Sequence, residues 1–451
     1  MDNNEEVTLF SRNGAEKIVC HKFMERFFKD EGYISSNKLY INLLHTLLNF
    51  KILRKIKAFC ALFLRCKFFF NDPKHVEFVI FDSEHSFFIE KILPNKNYVI
   101  ISTRIEQIKE INMSKKVIFY IIKNLFKRSL KQNYLTALIK VIAPSVVITH
   151  ISDSKDFHII SSLLSKKIQF IAIQTYTTAA FNNMFQGEDK KNFFIPNFFC
   201  YGEYDKLFYQ KQKVNIKNFE AIGSLNSSLS YEYTRSKKIK IDPNKYDICL
   251  ISEPMAIIKP SDYPQIKNLQ DCWGQVAEFT HRICKKHNLN MVFSGKYAKN
   301  TTEAKKEIFF YKHYLKNYNF EIFQSSEEIR KYSSYINMMQ SKLTISLFST
   351  MLREAISFDK KFLSFNTVGH PDVEFPGPDI PFPQQSICVL KESSYELFEE
   401  RVLKILSMTN EEFYNQLGVQ KSFIMKPTID SANIMRERIK EIADQENKNK
   451  P

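Results

Sequence analysis

Residues 343–363, Leu-Thr-Ile-Ser-Leu-Phe-Ser-Thr-Met-Leu-Arg-Glu-Ala-Ile-Ser-Phe-Asp-Lys-Lys-Phe-Leu, put hydroxyls and one glutamate where a nucleotide phosphate can be held. The run reads as a buried strand, a hydroxyl-lined turn, a helix and a second strand. Ser349 is a natural N-cap, and the free N–H groups of a helix start, with the positive end of the macrodipole, form an anion pocket. Thr350 and Glu354 stand four apart on one helical face. A hydroxyl at the helix mouth suits a phosphate oxygen, and a carboxylate one turn below suits the two hydroxyls of a ribose. The same residues also read as a capped amphipathic helix with Glu354 solvated, and the motif alone leaves both readings open.

Ligands of open α/β sheets bind beyond the carboxyl ends of the strands, which directs attention to the residues after each strand. The run Val76–Phe81 delivers Asp82-Ser83-Glu84-His85. Three titratable groups in four positions suit a general base for an acceptor hydroxyl, and they equally suit a helix N-cap. Arg104 follows the next strand and either binds a carboxylate or phosphate or starts a helix in solvent. Asp153 follows the strand that ends at His150, as a turn cap or as the carboxylate that orients His158. Gln174 ends a further strand. Glu203 comes after Tyr201-Gly202, and Gly223-Ser224 after the last strand of the series; Gly202 and Gly223 are two of only ten glycines. Ser294-Gly295 can mark a phosphate-facing turn in the second half of the chain. No H-E-x-x-H, no D-x-D between apolar strands and no carboxylate cluster occurs, so no metal is expected.

The elements that must position these residues alternate. Strand-like runs at 76–82, 98–103, 146–150, 169–174, 198–202 and 219–223 are separated by helical ones, including a single long helix over 115–142. This is the pattern of a parallel sheet covered by helices. A polar stretch, Ser227–Lys245, lacks apolar periodicity and reads as a linker. A second series comes after it, with strands at 247–252, 290–294, 320–324, 343–347 and 361–366. The expected fold class is therefore α/β, with a helical N-terminal region (1–70), a Rossmann-like domain (71–228), a linker (229–245), a second Rossmann-like domain (246–425) and a final helix and tail (426–451).

At 451 residues and 44% hydrophobic, the chain can build two full cores. Its formal charge of +16 is scattered and lacks a compact nucleic-acid signature, so no nucleic-acid partner is expected. The eight cysteines show no C-x-x-C and read as reduced core residues of a cytoplasmic protein. The acidic start, Met-Asp-Asn-Asn-Glu-Glu, does not read as a signal peptide. From Leu43 to Phe70 apolar residues recur at helical spacing among Lys51, Arg54, Lys55, Lys57, Arg65 and Lys67. Such a helix either lies on the anionic inner face of the cytoplasmic membrane, making the protein peripheral there, or packs onto the first domain.

Three stretches carry a family resemblance: Ser145–Ser154 leading to Phe170–Gln174, Phe198–Asp205 leading to Ala221–Leu225, and Phe348–Ala355. In order and spacing they resemble the bacterial surface-carbohydrate biosynthesis proteins of lipopolysaccharide and capsule, a GT-B glycosyltransferase-like family, over roughly 75–420. The resemblance implies two Rossmann-like domains facing across a cleft, with the last helices crossing back to the first domain. It also implies a metal-independent glycosyltransferase that moves a sugar from a nucleotide-sugar donor, a substrate and not a cofactor, onto a surface glycan or lipid-linked acceptor. Ser349, Thr350, Glu354, Ser294 and Gly295 would hold the donor nucleotide, Asp82, Glu84, His85 or Asp153 would supply catalysis, and Arg104, Gln174, Glu203, Gly223 and Ser224 would contact substrate. One departure stands out: where such proteins often follow the strand-end Gln with Asn-Gly or His-Gly, this chain has Gln174-Thr175-Tyr176. The alternatives are a non-hydrolysing sugar-nucleotide epimerase and a catalytically inactive GT-B-like scaffold of a glycan assembly complex. His370-Pro371 resembles a nucleotide-contacting pair of some sialyl- and Kdo-type transferases, but it comes after the Ser-Thr element instead of before it, so the match is read as coincidence.

Overall fold

Runs of β-branched and aromatic residues such as Phe78–Phe81 and Val146–Thr149 have no polar side to turn to water, and both are buried along their whole length. Only a sheet covered on both faces accepts such strands. The computed structural model describes residues 65–104, 107–124, 128–177, 193–253, 269–297, 301–316, 318, 327–369 and 386–448. The chain divides into two compact units, residues 1–67 and 68–451, and both of the large sheets belong to the second. The amphipathic run before residue 65, the strand expected at 320–324 and the His370-Pro371 loop lie outside the described residues.

Six parallel strands form the first sheet: β1 (Phe78–Phe81), β2 (Tyr98–Ile101), β3 (Val146–Thr149), β4 (Gln169–Ile173), β5 (Phe194–Cys200) and β6 (Asn215–Ala221), in the order β2-β1-β3-β4-β5-β6. Successive side chains point to opposite faces. Val79, Phe81, Val147 and Phe170 thus enter one core, while Phe78, Ile80, Ile148 and Ile171 enter the other. The second sheet is also parallel: β7 (Tyr246–Ile251), β8 (Met291–Ser294), β9 (Ser341–Ser346), β10 (Lys361–Phe365) and β11 (Val389–Leu390), in the order β8-β7-β9-β10-β11. Both are Rossmann-like lobes of an α/β fold.

Hydroxyls set the helix starts. Ser114, Ser129, Ser154, Ser224 and Thr301 each accept a backbone N–H from three residues on, meeting one of the donors every helix start leaves open. Two readings are corrected. The single helix expected over 115–142 is two, α1 (Lys115–Lys123) and α2 (Leu130–Ile142). The stretch read as linker is helical over Leu225–Ser236 (α3), because its small hydroxyls pack inside: Ser230 donates to Asn226 O at 2.6 Å and Ser228 to Ile429 O at 2.6 Å.

The last helix, Ser431–Lys448 (α4), crosses back onto the first lobe. Its Met435 and Ile439 join the core of Phe78 and Ile80, and Ser431 donates to Ile222 O at 2.9 Å. No helix among the described residues is long and apolar enough to cross a membrane.

Gly202 shows how closely the chain segments approach. A Cβ there would lie 2.7 Å from Phe423 O and 2.8 Å from the Ile424 carbonyl carbon, backbone atoms that have no rotamer to give way. Gly202→Ala is therefore expected to lower unfolding free energy by about 1–3 kcal/mol, read from denaturant midpoints. A midpoint equal to wild type would contradict this packing.

Candidate functional site

After β1 the backbone is strained. Asp82 has φ 85° and His85 φ 62°, both left-handed and both non-glycine, a conformation that costs free energy and clusters at functional positions. Asp82 accepts from Glu84 N at 2.9 Å and from Thr103 Oγ1 at 2.5 Å. Arg104, from the end of β2, pairs with Glu84, and its Nε lies 3.7 Å from Asp82 Oδ2. Asp82, Glu84, His85 and Arg104 thus come together in one cluster. The His85 ring meets His150 edge-on at 5.7 Å. Burial, then the Lys296 ammonium, lowers the His85 pKa, against the opposing pull of Asp82. Burial, and after it the neighbouring His85, brings His150 down to about 3. Both imidazoles are therefore neutral at pH 7, and a neutral imidazole can accept a proton.

Asp153 does not orient His158. The His158 ring is fully buried, its Nε2 lies 2.8 Å from Ser152 O, and burial lowers its pKa to about 4. Asp153 acts instead on Tyr176, whose hydroxyl is held protonated first by burial and then by the Asp153 charge. Gln174 also turns inward: its Oε1 accepts from Tyr201 N at 2.9 Å and its Nε2 donates to Asp205 Oδ1 at 2.8 Å. That tie positions the turn after β5. Glu203, next to it, is exposed.

Lys296 belongs to the second lobe, so its effect on His85 links the two sheets. It follows β8 in Ser294-Gly295-Lys296, and although its side chain keeps solvent exposure, partial desolvation lowers its pKa, with Glu253 and Glu307 opposing. Glu307 accepts from Lys296 N at 3.0 Å and Ser252 Oγ at 2.5 Å. Ser294 points into the lobe, accepting from Asn337 Nδ2 at 2.8 Å, and a Cβ on Gly295 would stand 3.0 Å from Glu307 Oε2.

The helix mouth after β9 differs from expectation. The α-helix is only Thr350–Glu354, running on as a 3₁₀ turn over Ala355–Phe358. Ser349 caps it, accepting from Met351 N at 3.3 Å. The N–H of Phe348 is already taken, at 3.1 Å, by Oε1 of Glu253, which also accepts from Ser346 Oγ at 2.7 Å. The protein thus fills part of its own anion pocket with a carboxylate. Burial raises the Glu253 pKa to about 7.

Glu354 is not solvated. It is 2% exposed, and its oxygens accept from Ser224 Oγ at 2.5 Å and Tyr335 OH at 2.9 Å. Ser224 lies at the end of the first sheet beside Gly223, whose φ of 100° suits only glycine and whose Cβ would strike Ser431 Oγ at 2.6 Å. Thr350 Oγ1 likewise accepts from Thr177 N of the first lobe, at 2.9 Å. Between them Arg353, without exposed surface, donates to both oxygens of Asp205 (3.0 and 2.6 Å) and to Ile424 O.

The sequence reading missed Glu253, Lys296, Glu307 and Arg353. The strand-end rule could have found Glu253 and Lys296, which follow β7 and β8. No sequence signal marks Arg353 as buried.

No family model matches the chain, and no curated protein does. Solved structures do. A Staphylococcus aureus MnaA–UDP co-structure aligns with 10% identity and TM-score 0.47, covering 82% of this chain and 97% of its own. The Neisseria meningitidis UDP-GlcNAc 2-epimerase bound to UDP-GlcNAc gives 14%, 0.46, 82% and 99%. The wall teichoic acid polymerase TagF gives 12%, 0.43, 91% and 99%. At these values no argument rests on the likeness, and no residue role is taken from it.

Burial raises the Glu354 pKa to about 7, with Ser224 and Tyr335 opposing. The folded state thus holds this proton more tightly than the unfolded chain. The stabilisation is complete below the ordinary glutamate range and is lost as pH rises to about 7. Glu354→Gln has no such proton, so its stability relative to wild type should rise between pH 4.5 and 7.5, by on the order of 3 kcal/mol. Denaturant melts at both pH values measure this, and a pH-independent difference would refute it.

Proposed function

We propose that the protein is a glycosyltransferase that uses a nucleotide-sugar donor and an acceptor hydroxyl of a surface glycan or lipid-linked glycan. What supports the reading is that the strained strand end of β1 gathers Asp82, Glu84, His85 and Arg104, and that the charge of Lys296, from the end of β8, reaches His85 and lowers its pKa: a neutral proton acceptor and a cation supplied by different lobes. Arg104 with Asp82 and Glu84 completes the set on the first lobe. In this reading His85 takes the proton of the acceptor hydroxyl as it attacks the anomeric carbon, and the bond from that carbon to the diphosphate breaks. Lys296 offsets the charge of the leaving diphosphate, a role a preorganised cation performs well, and the hydroxyls of Ser349 and Thr350 donate to its oxygens. Glu354, its oxygens already engaged, acts here as the link between Ser224 and the helix. Lipopolysaccharide or capsule assembly is the process such an enzyme would serve.

The experiment has two stages. A thermal-shift panel of UDP-, GDP-, CMP-, CDP- and dTDP-sugars identifies the donor, since a ligand at a hundred times its Kd stabilises by about 2.7 kcal/mol. The bound sugar is then followed by NMR with and without acceptor glycans. Sugar appearing on an acceptor supports transfer, whereas inversion at the sugar's C2 without acceptor would assign the epimerase reading. Against the transferred product, His85→Ala should lower turnover by about 10²–10⁴-fold with little change in donor affinity. No stabilisation by any nucleotide sugar would overturn the proposal in favour of a scaffold.

A further inference from the structure

Helix α1, Lys-Lys-Val-Ile-Phe-Tyr-Ile-Ile-Lys, is apolar on two sides. Its Val117, Tyr120 and Ile121, spaced i, i+3, i+4, pack on the core of the first lobe. Phe119 and Ile122 point the other way and are 60% and 65% exposed. A helix side that faces only water should show polar groups there. Around Phe119 the neighbours on its own face, at i−4, i−3, i+3 and i+4, are Lys115, Lys116, Ile122 and Lys123, so two exposed apolar side chains sit within a frame of three lysines.

The patch extends beyond one helix. Phe70 is 71% exposed, and its segment is held at the start of α1 by Met113 N donating to Phe69 O at 2.6 Å and by the Lys116–Asp72 pair at 2.7 Å. Apolar groups ringed by basic ones match an anionic lipid surface: rings and branched chains enter the acyl boundary while ammonium groups meet headgroup phosphates. A water-facing function would need only the lysines, and a neutral protein partner only the apolar groups. We infer that this face of the first lobe, centred on Phe119 and Ile122, docks the protein on an anionic membrane. Such docking requires neither sugar transfer nor the basic run before residue 65.

The test uses the full chain and vesicles of phosphatidylglycerol and phosphatidylcholine. Trp273 is buried and is the only tryptophan, so Phe119→Trp places a second reporter on the patch. Its emission should shift to the blue on vesicle addition and be quenched by brominated acyl chains, and 0.5 M salt should reverse both. Phe119→Ser/Ile122→Ser should weaken co-sedimentation by at least about tenfold with an unchanged melting curve, as removal of solvent-exposed apolar groups predicts. Vesicle binding without quenching of the position-119 tryptophan would overturn the inference, placing contact elsewhere. So would a double variant that binds like wild type, or one that shows no vesicle effect but dissociates a dimer in sedimentation velocity.

Discussion

A single guanidinium joins the two sheets. Arg353 has no solvent exposure, meets Asp205 with both of its terminal nitrogens and lies 5.0 Å from the Tyr201 ring and 5.4 Å from that of Tyr204. Burying an ion pair costs several kcal/mol per ion in desolvation, and only full satisfaction of its hydrogen bonds offsets that. Here the Ile424 carbonyl and Asp205 leave little of the fork unused. The geometry tolerates one arrangement of the short helix after β9 against the turn after β5. Glu354 on Ser224 and Thr350 on Thr177 follow from it, being neighbours of Arg353 on that helix.

The same economy of buried charge governs the groups around His85. Glu253 and Glu307 are removed from water and Lys296 is partly desolvated, each with its pKa moved toward the neutral form. Ionisable groups in such a place respond strongly to any charge brought among them, because water no longer screens it. Glu253 in the mouth of the helix after β9 is the extreme case, a carboxylate bonded to the N–H that would otherwise meet a phosphate.

Most strands were legible because a doubly covered parallel sheet demands continuous apolar runs, and Phe78–Phe81 or Leu343–Ile345 offer no other reading. The cluster of Asp82, Glu84, His85 and Arg104 was legible through the strand-end rule. Helix Leu225–Ser236 was not: its apolar stripe is only Leu225, Leu229 and Tyr233, and the buried serines between them, whose hydroxyls satisfy themselves on carbonyls, give the segment a polar look. Glu354 was open to two readings, ribose ligand or solvated carboxylate, for a related reason: sequence reports that a residue is charged, and only the fold reports what stands opposite it. Ser224 lies 130 positions away.

The returning helix Ser431–Lys448 has a consequence for how the protein is made. Its Met435, Ile439 and Ile442 complete a core whose other members include Phe78 and Ile80. Domains emerging from the ribosome ordinarily fold in order, N-terminal first. In this chain the first lobe is begun early but cannot close its hydrophobic interior until the second has been synthesised, so the finished first sheet must wait with part of an apolar face uncovered for the length of roughly two hundred residues, about 10–40 s at ordinary elongation rates.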